Sequence, residues 1–135
     1  MALDRIWGNL EKVVVLDTSA ILMLFEFSIN IDDEISRLIG KHKIIIPNFV
    51  VEELKTLLNK GKGKQKRLAK ASIQLINKYE ISEFNSKKNT DDAIVEYSKQ
   101  IKCFVVTNDK ELRKKLKNQN TNVIFLRNKK KLEIE

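Results

Sequence analysis

Residues Val13–Leu22 read VVVLDTSAIL. A β-branched apolar run is followed by a second apolar run, and one charge, Asp17, stands between them. The first run has the composition of a buried strand and the second that of a helix. An ionised carboxylate in such surroundings is costly unless it is hydrogen-bonded, paired or bound to a metal. Asp17 therefore either caps the helix that follows or binds something.

Reading outward, the same alternation repeats along the chain. Strands are expected at Lys12–Leu16, Lys43–Ile46, Glu80–Phe84, Cys103–Val106 and Val123–Leu126. Helices are expected at Ala20–Phe27, Asp33–Ile39, Lys64–Lys78, Asp91–Ile101 and Lys110–Lys117. A further helix begins at Pro47, the one proline, and continues as NFVVEELKTLLNK, since proline suits the first turn. Short apolar strands alternating with helices predict an α/β fold, with a parallel sheet covered on both faces. The tail NKKKLEIE is charged and is expected to be only partly ordered.

The totals are consistent with this. A chain of 135 residues, 42% apolar and 33% charged, suits one globular domain with its core at about 12–127 and a charged tail at 128–135. No apolar run is long enough to span a bilayer, and MALDRIWGNLEK is too polar for a signal peptide. A cytoplasmic location and no membrane partner are expected. Cys103 is the one cysteine and His42 the one histidine. An internal disulfide, a cysteine-based zinc site and any mechanism needing two histidines are excluded. His42, in GKHKIIIP, reads as a surface residue in a loop before a strand.

The net charge of +8 is unevenly placed. Residues 1–53 carry 5 Lys/Arg against 9 Asp/Glu, and residues 54–135 carry 21 against 9. A basic surface beside an acidic segment points to a polyanion, nucleic acid first, although lysine-rich surfaces also serve solubility.

Four carboxylates stand out by position. Asp17 and Asp109 each follow a strand. Glu53 borders the apolar stripe of Phe49, Val50, Leu54, Leu57 and Leu58, whereas Glu52 falls on the polar face. Asp91 shares a face with Ile94 and Val95, and Asp92 should be more exposed. Taken singly, each has an ordinary explanation: a helix cap, complementation of the helix dipole, or an outward-reaching stem. Taken together they fall at the carboxyl edge of one parallel sheet, where ligands of such folds bind. Like charges gathered there raise one another's pKa, and a divalent cation relieves the repulsion. All-oxygen ligands suit Mg²⁺ or Mn²⁺. Thr18, Ser19, Thr107 and Asn108 are placed to orient the carboxylates, to ligate through water or to meet a phosphate. Such an ion activates water for attack on a phosphodiester without any histidine.

At these residues the chain resembles the PIN-domain family of metal-dependent ribonucleases. The likeness runs from about Lys12 to Arg127 and rests on LDTSAIL with Asp17, IPNFVVEEL with Glu53, DDAI with Asp91 and VTNDKEL with Asp109. The acid-to-isoleucine spacing selects Asp91, and a share for Asp92 stays open. The resemblance implies a three-layer α/β/α sandwich whose sheet of about five strands has the order 3-2-1-4-5. It also implies endonucleolytic hydrolysis of single-stranded or locally open RNA. Small members of the family include toxins held by an antitoxin and nucleases of ribosomal-RNA processing. The basic, glycine-bearing stretch VVEELKTLLNKGKGKQKRLAKASIQLI looks more like the processing type.

Beside an acidic pocket, Lys60, Lys62, Lys64, Lys66, Arg67 and Lys70, and a second cluster of Lys110, Arg113, Lys114, Lys115 and Lys117, read as contacts to RNA phosphates. Phe25, Phe49, Phe104 and Phe125 should be core; Trp7 and Phe84 are the aromatics expected to be exposed. Three other readings stay open. One is a non-catalytic RNA-binding or ribosome-assembly module on the same fold. Another is a homodimer through the apolar stripes. The last is a phosphoacceptor receiver domain, which wants an acidic pair where this chain has Leu16 and Asp17.

Overall fold

The computed structural model describes residues 11–135; the expectations for Trp7 and the N-terminal segment lie outside them. The strands are β1 (Lys12–Leu16), β2 (His42–Pro47), β3 (Glu80–Ser82), β4 (Phe104–Val106), β5 (Asn122–Arg127) and β6 (Lys131–Ile134). The helices are α1 (Thr18–Glu26), α2 (Ile31–Ile39), α3 (Asn48–Lys60), α4 (Gly63–Ile76), α5 (Thr90–Gln100) and α6 (Lys110–Asn118).

The sheet order is β3-β2-β1-β4-β5-β6. The first five strands pair in parallel, in the expected 3-2-1-4-5 order. The centres of β1, β2, β4 and β5 are β-branched and fully covered: Val14, Val15, Ile46, Val105, Val106 and Ile124 are each 0% exposed, whereas Ile81 of the edge strand β3 is 43% exposed. Strands buried on both faces need helices on both sides, giving the three-layer α/β/α arrangement.

The sheet has six strands, and the sixth corrects the expectation of a partly ordered tail. Within NKKKLEIE, Lys131–Ile134 pairs antiparallel with β5, setting Leu126 opposite Leu132. Leu132 is fully buried. The outer edge of β6 is also occupied. The Leu132 N–H donates to Glu34 at 2.9 Å, and its carbonyl accepts from Arg37 at 2.6 Å. The edge of the sheet is thus partnered by an α2 ion pair rather than left to water.

His42 is likewise not a surface loop residue. It opens β2, and its side chain is 7% exposed. One ring nitrogen lies 3.0 Å from the Gly40 carbonyl and the other 3.0 Å from Asp32, which also accepts from the Tyr79 hydroxyl at 2.9 Å. These long-range polar partners draw the ring inward.

The glycines between α3 and α4 have a structural task. The Gly61 N–H donates to the Leu57 carbonyl at 2.8 Å, closing α3. A Cβ at Gly61 would collide with that same carbonyl. Gly63 takes φ +58° to open α4, a conformation that glycine adopts without cost. The turn packs α4 back against α3 and α1. Phe84 is partly buried, edge-to-face with Phe49 and Tyr97, so it is not the exposed aromatic expected.

Candidate active site

β1 and β4 lie side by side, with Leu16 opposite Val106. The next residues of each strand therefore emerge together at the carboxyl edge. Asp17 is 3% exposed. It caps α1: its Oδ1 accepts from the Ala20 N–H at 2.7 Å. The Ser19 hydroxyl lies 3.0 Å from both carboxylate oxygens, and the Thr107 hydroxyl donates to Oδ2 at 2.6 Å. The cap and the pocket readings of Asp17 are thus compatible, because one carboxylate does both.

Thr107, fully buried, bridges two of the acids. While donating to Asp17, its oxygen accepts from the Asp109 N–H at 3.1 Å. Asp109 in turn caps α6, accepting from the Leu112 N–H at 3.0 Å. On neighbouring elements, Glu53 on α3 is partly buried and accepts from the Thr90 hydroxyl at the start of α5. Asp91 follows Thr90 and is partly buried as well.

The electrostatics show the four acids acting on one another. Burial pushes the Asp17 carboxyl up to about 6, against the opposing pull of its hydrogen bonds from Thr107, Ala20 and Ser19; the charge of Asp91 adds to the rise. Burial raises Asp91 too, with the charges of Asp109 and Glu53 next in effect, while Lys115 opposes and Asp92 adds. Asp91 is therefore the acid through which the other three meet. Among the described residues, none of the four forms an ion pair.

The remaining candidates sort by position. Thr18 is buried, and its hydroxyl has no hydrogen-bond partner among the described residues. Ser19 is exposed beside Asp17. Asn108 is turned away from the acids: it donates to the Leu126 carbonyl at 3.0 Å and accepts from the Leu126 N–H at 2.6 Å, tying the loop after β4 to β5. Asp92 forms an exposed pair with Lys115 at 3.1 Å. Glu52 pairs with Lys55 in solvent, as its polar helical face predicts. Thr90 was not singled out by sequence, and Lys115 was read there only as an RNA contact, not as a neighbour of the acids. Their partners lie 37 and 23 residues away, and the signal in NTDD was absorbed by its acids.

The donor set fits Mg²⁺ or Mn²⁺ by its chemistry: four oxygen ligands, without cationic partners in contact, two of them pushed toward protonation. Among the described residues no three His, Cys, Asp or Glu side chains stand close enough to share one ion as placed. Mg²⁺ does not require a closed cage, because it keeps several waters and takes one or two carboxylates.

Of the expected RNA contacts, Lys60, Lys62, Lys64, Lys66, Arg67 and Lys70 are all exposed around the α3–α4 turn, and Lys64 pairs with Glu26. Lys110 and Lys114 are exposed on α6, and Arg113 is partly covered.

Residues 14–129 match the family model described as a PIN like domain. Ribonuclease VapC4 of Methanocaldococcus jannaschii is 36% identical over 125 residues, spanning 90% of this chain and 95% of that protein. Ribonuclease VapC9 of Archaeoglobus fulgidus is 28% identical over 137 residues, covering 100% and 98%. Among solved structures, the PIN domain endonuclease Utp24 superposes with a TM-score of 0.75 at 22% identity, covering 91% of this chain and 90% of that one. VapBC-1 from nontypeable Haemophilus influenzae gives 0.58 at 13% identity, covering 78% and 93%.

Proposed function

This chain belongs to the PIN-like domain family, and we propose that it is a Mg²⁺- or Mn²⁺-dependent endoribonuclease that hydrolyses phosphodiester bonds of RNA. The observation that carries the reading is Asp17, held up at about 6 by its burial, with the charge of Asp91 adding to the rise and no cation among its hydrogen-bonding partners. Such a group lacks the counter-charge that a divalent ion supplies. The two sequence relatives named ribonucleases support the same reading.

Asp17, Glu53, Asp91 and Asp109 are the residues that would hold the ion, one or two of them directly and the others through its bound waters. When bound, it would lower the pKa of a coordinated water and offset charge growing on the leaving oxygen. The chain's own work is to orient. Thr107 and Ser19 fix the Asp17 carboxylate, and the Ala20 N–H supports it from the helix. Thr90 fixes Glu53. Thr18, buried and without a hydrogen-bond partner among the described residues, follows Asp17 and leaves its hydroxyl free to bind a water. Lysines of the α3–α4 turn and of α6 draw the RNA backbone without choosing sequence.

Several finer assignments belong to the same proposal: one domain, a cytoplasmic location, RNA as the substrate, and a carboxylate share for Asp92. No helix among the described residues is long and apolar enough to cross a membrane. On biological role, the names of the two sequence relatives favour a toxin-type nuclease held by an antitoxin; the VapBC-1 likeness, at 13% identity, speaks for the fold. The Utp24 likeness, at 22% identity, speaks for the fold alone, so the ribosomal-RNA-processing role rests on the basic insert. A homodimer and a ribosomal partner rest on sequence pattern alone.

The test is incubation of a labelled, unstructured RNA with the protein in Mn²⁺, Mg²⁺ or EDTA. Internal cuts in metal, absent in EDTA, are expected. An RNA bound but uncut in every condition would favour the non-catalytic binding module.

A further inference from the structure

We propose that Glu135 occupies, from within the chain, a phosphate subsite on an RNA track laid along α6, so that the chain competes with its own substrate. The proposal rests on the ribonuclease reading above and adds a regulatory contact to it. Lys110, Arg113, Lys114 and Lys117 recur at the spacing that places them on one helical face. The stripe is about 10 Å long at the α-helical rise. It begins beside Asp109, the acid that caps α6, and so leads outward from the acidic pocket. These four cations, with Asn118 and Glu135, line an open groove of about 470 Å³.

Four like charges on one face repel, and a single anion sits among them. Glu135 lies 3.0 Å from the Arg113 Nε and 3.5 Å from the Lys117 Nζ. The Arg113 guanidinium, and then Lys117, hold its carboxyl below the usual range. Arg113 is steadied from its other side by the Phe125 ring, 4.3 Å from the guanidinium carbon. Lys110 and Lys114 form no ion pair among the described residues. A guanidinium with a flanking ammonium suits a phosphodiester oxygen as well as a carboxylate.

The Glu135 backbone is anchored, its N–H donating to the Val123 carbonyl at 2.9 Å. Its side chain is 26% exposed and can leave the groove while β6 stays paired. A staple that merely pins β6 to α6 makes the opposite prediction: removing its charge would loosen the fold and leave RNA affinity unchanged or lower.

The experiment measures binding of a fluorescent, unstructured RNA by anisotropy in EDTA, where no cutting intervenes, from about 50 to about 300 mM salt. Glu135→Gln should bind about 3- to 10-fold more tightly than the wild type at low salt, with a log–log salt slope steeper by about one. Lys114→Glu lines the groove without touching Glu135 and should weaken binding by a similar factor whatever happens to β6. Unchanged or weaker binding by Glu135→Gln, with an unaltered circular-dichroism spectrum, would overturn the proposal, as would wild-type affinity in Lys114→Glu. Inorganic phosphate should displace the RNA better than chloride at equal ionic strength; displacement no better than by chloride would overturn the phosphate subsite. Failure of the wild type to bind RNA at low salt would remove the ribonuclease reading itself, a result separable from a null effect at Glu135.

Discussion

The Thr107 hydroxyl donates to Asp17 across 2.6 Å, joining the ends of two adjacent strands through a residue with no exposed surface. The same oxygen accepts from the Asp109 N–H. One side chain thus sets the position of two acids from different elements. Thr107→Val keeps the shape and removes both bonds. Because the hydroxyl lowers the Asp17 pKa, its loss should move the acid limb of the pH–rate profile upward. Cleavage should fall about 10- to 100-fold, as for other groups that orient ligands. An unshifted profile would show that Thr107 only packs.

Asp17 should be a burden on stability in the absence of metal. Its pKa is near 3.8 in the unfolded chain and about 6 in the folded one, so the folded state binds the proton more tightly. Stability contributed by the protonated form is therefore lost as pH rises from about 3.8 to about 6. The shift corresponds to roughly 3 kcal/mol. In EDTA, Asp17→Asn should match the wild type in urea denaturation near pH 4 and exceed it by up to about 3 kcal/mol at pH 7, while losing cleavage. Equal destabilisation at both pH values would make Asp17 a structural cap alone.

Thr90 should behave as a positioning residue for Glu53. Thr90→Val removes the hydroxyl that Glu53 accepts and leaves the helix start capped by Asn89. A loss of about 10-fold or more in metal-dependent cleavage is expected, with thermal stability within about 1 kcal/mol of the wild type. Full activity would separate Thr90 from the site.

The sixth strand is part of the core. Leu132→Ala, at a fully buried position, should cost about 3 kcal/mol in urea denaturation. A cost near zero would return the segment to the status of a tail.

The partial burial of Glu53 and Asp91 was legible in sequence because periodicity reports faces. Glu53 and Asp91 border apolar stripes, whereas Glu52 and Asp92 do not, and the exposed pairs of the latter with Lys55 and Lys115 agree with that division. Four of the five parallel strands were legible because each holds a short apolar run; β3, with Ile81 alone between Glu80 and Ser82, gave a weaker signal and is shorter than the expected Glu80–Phe84. β6 was not: its alternation of Leu132 and Ile134 with charged residues is a strand signal, but only four residues long and preceded by lysines. His42 was misread because its partners, Asp32 and the Gly40 carbonyl, are set by the fold. The start of α1 came two residues early because Asp17 caps it, which a sequence with two uses for one carboxylate does not announce.

The most direct test of the central claim, that four carboxylates form one metal site, is a Mn²⁺ titration followed by electron paramagnetic resonance at pH 7. Wild-type protein should bind Mn²⁺ at millimolar concentration or tighter. Asp17→Asn, Asp91→Asn, Asp109→Asn and Glu53→Gln should each weaken binding by about 10-fold or more, and the solvent-facing Glu52→Gln should not. Equal binding by all five variants and the wild type, or none by any, would contradict the account.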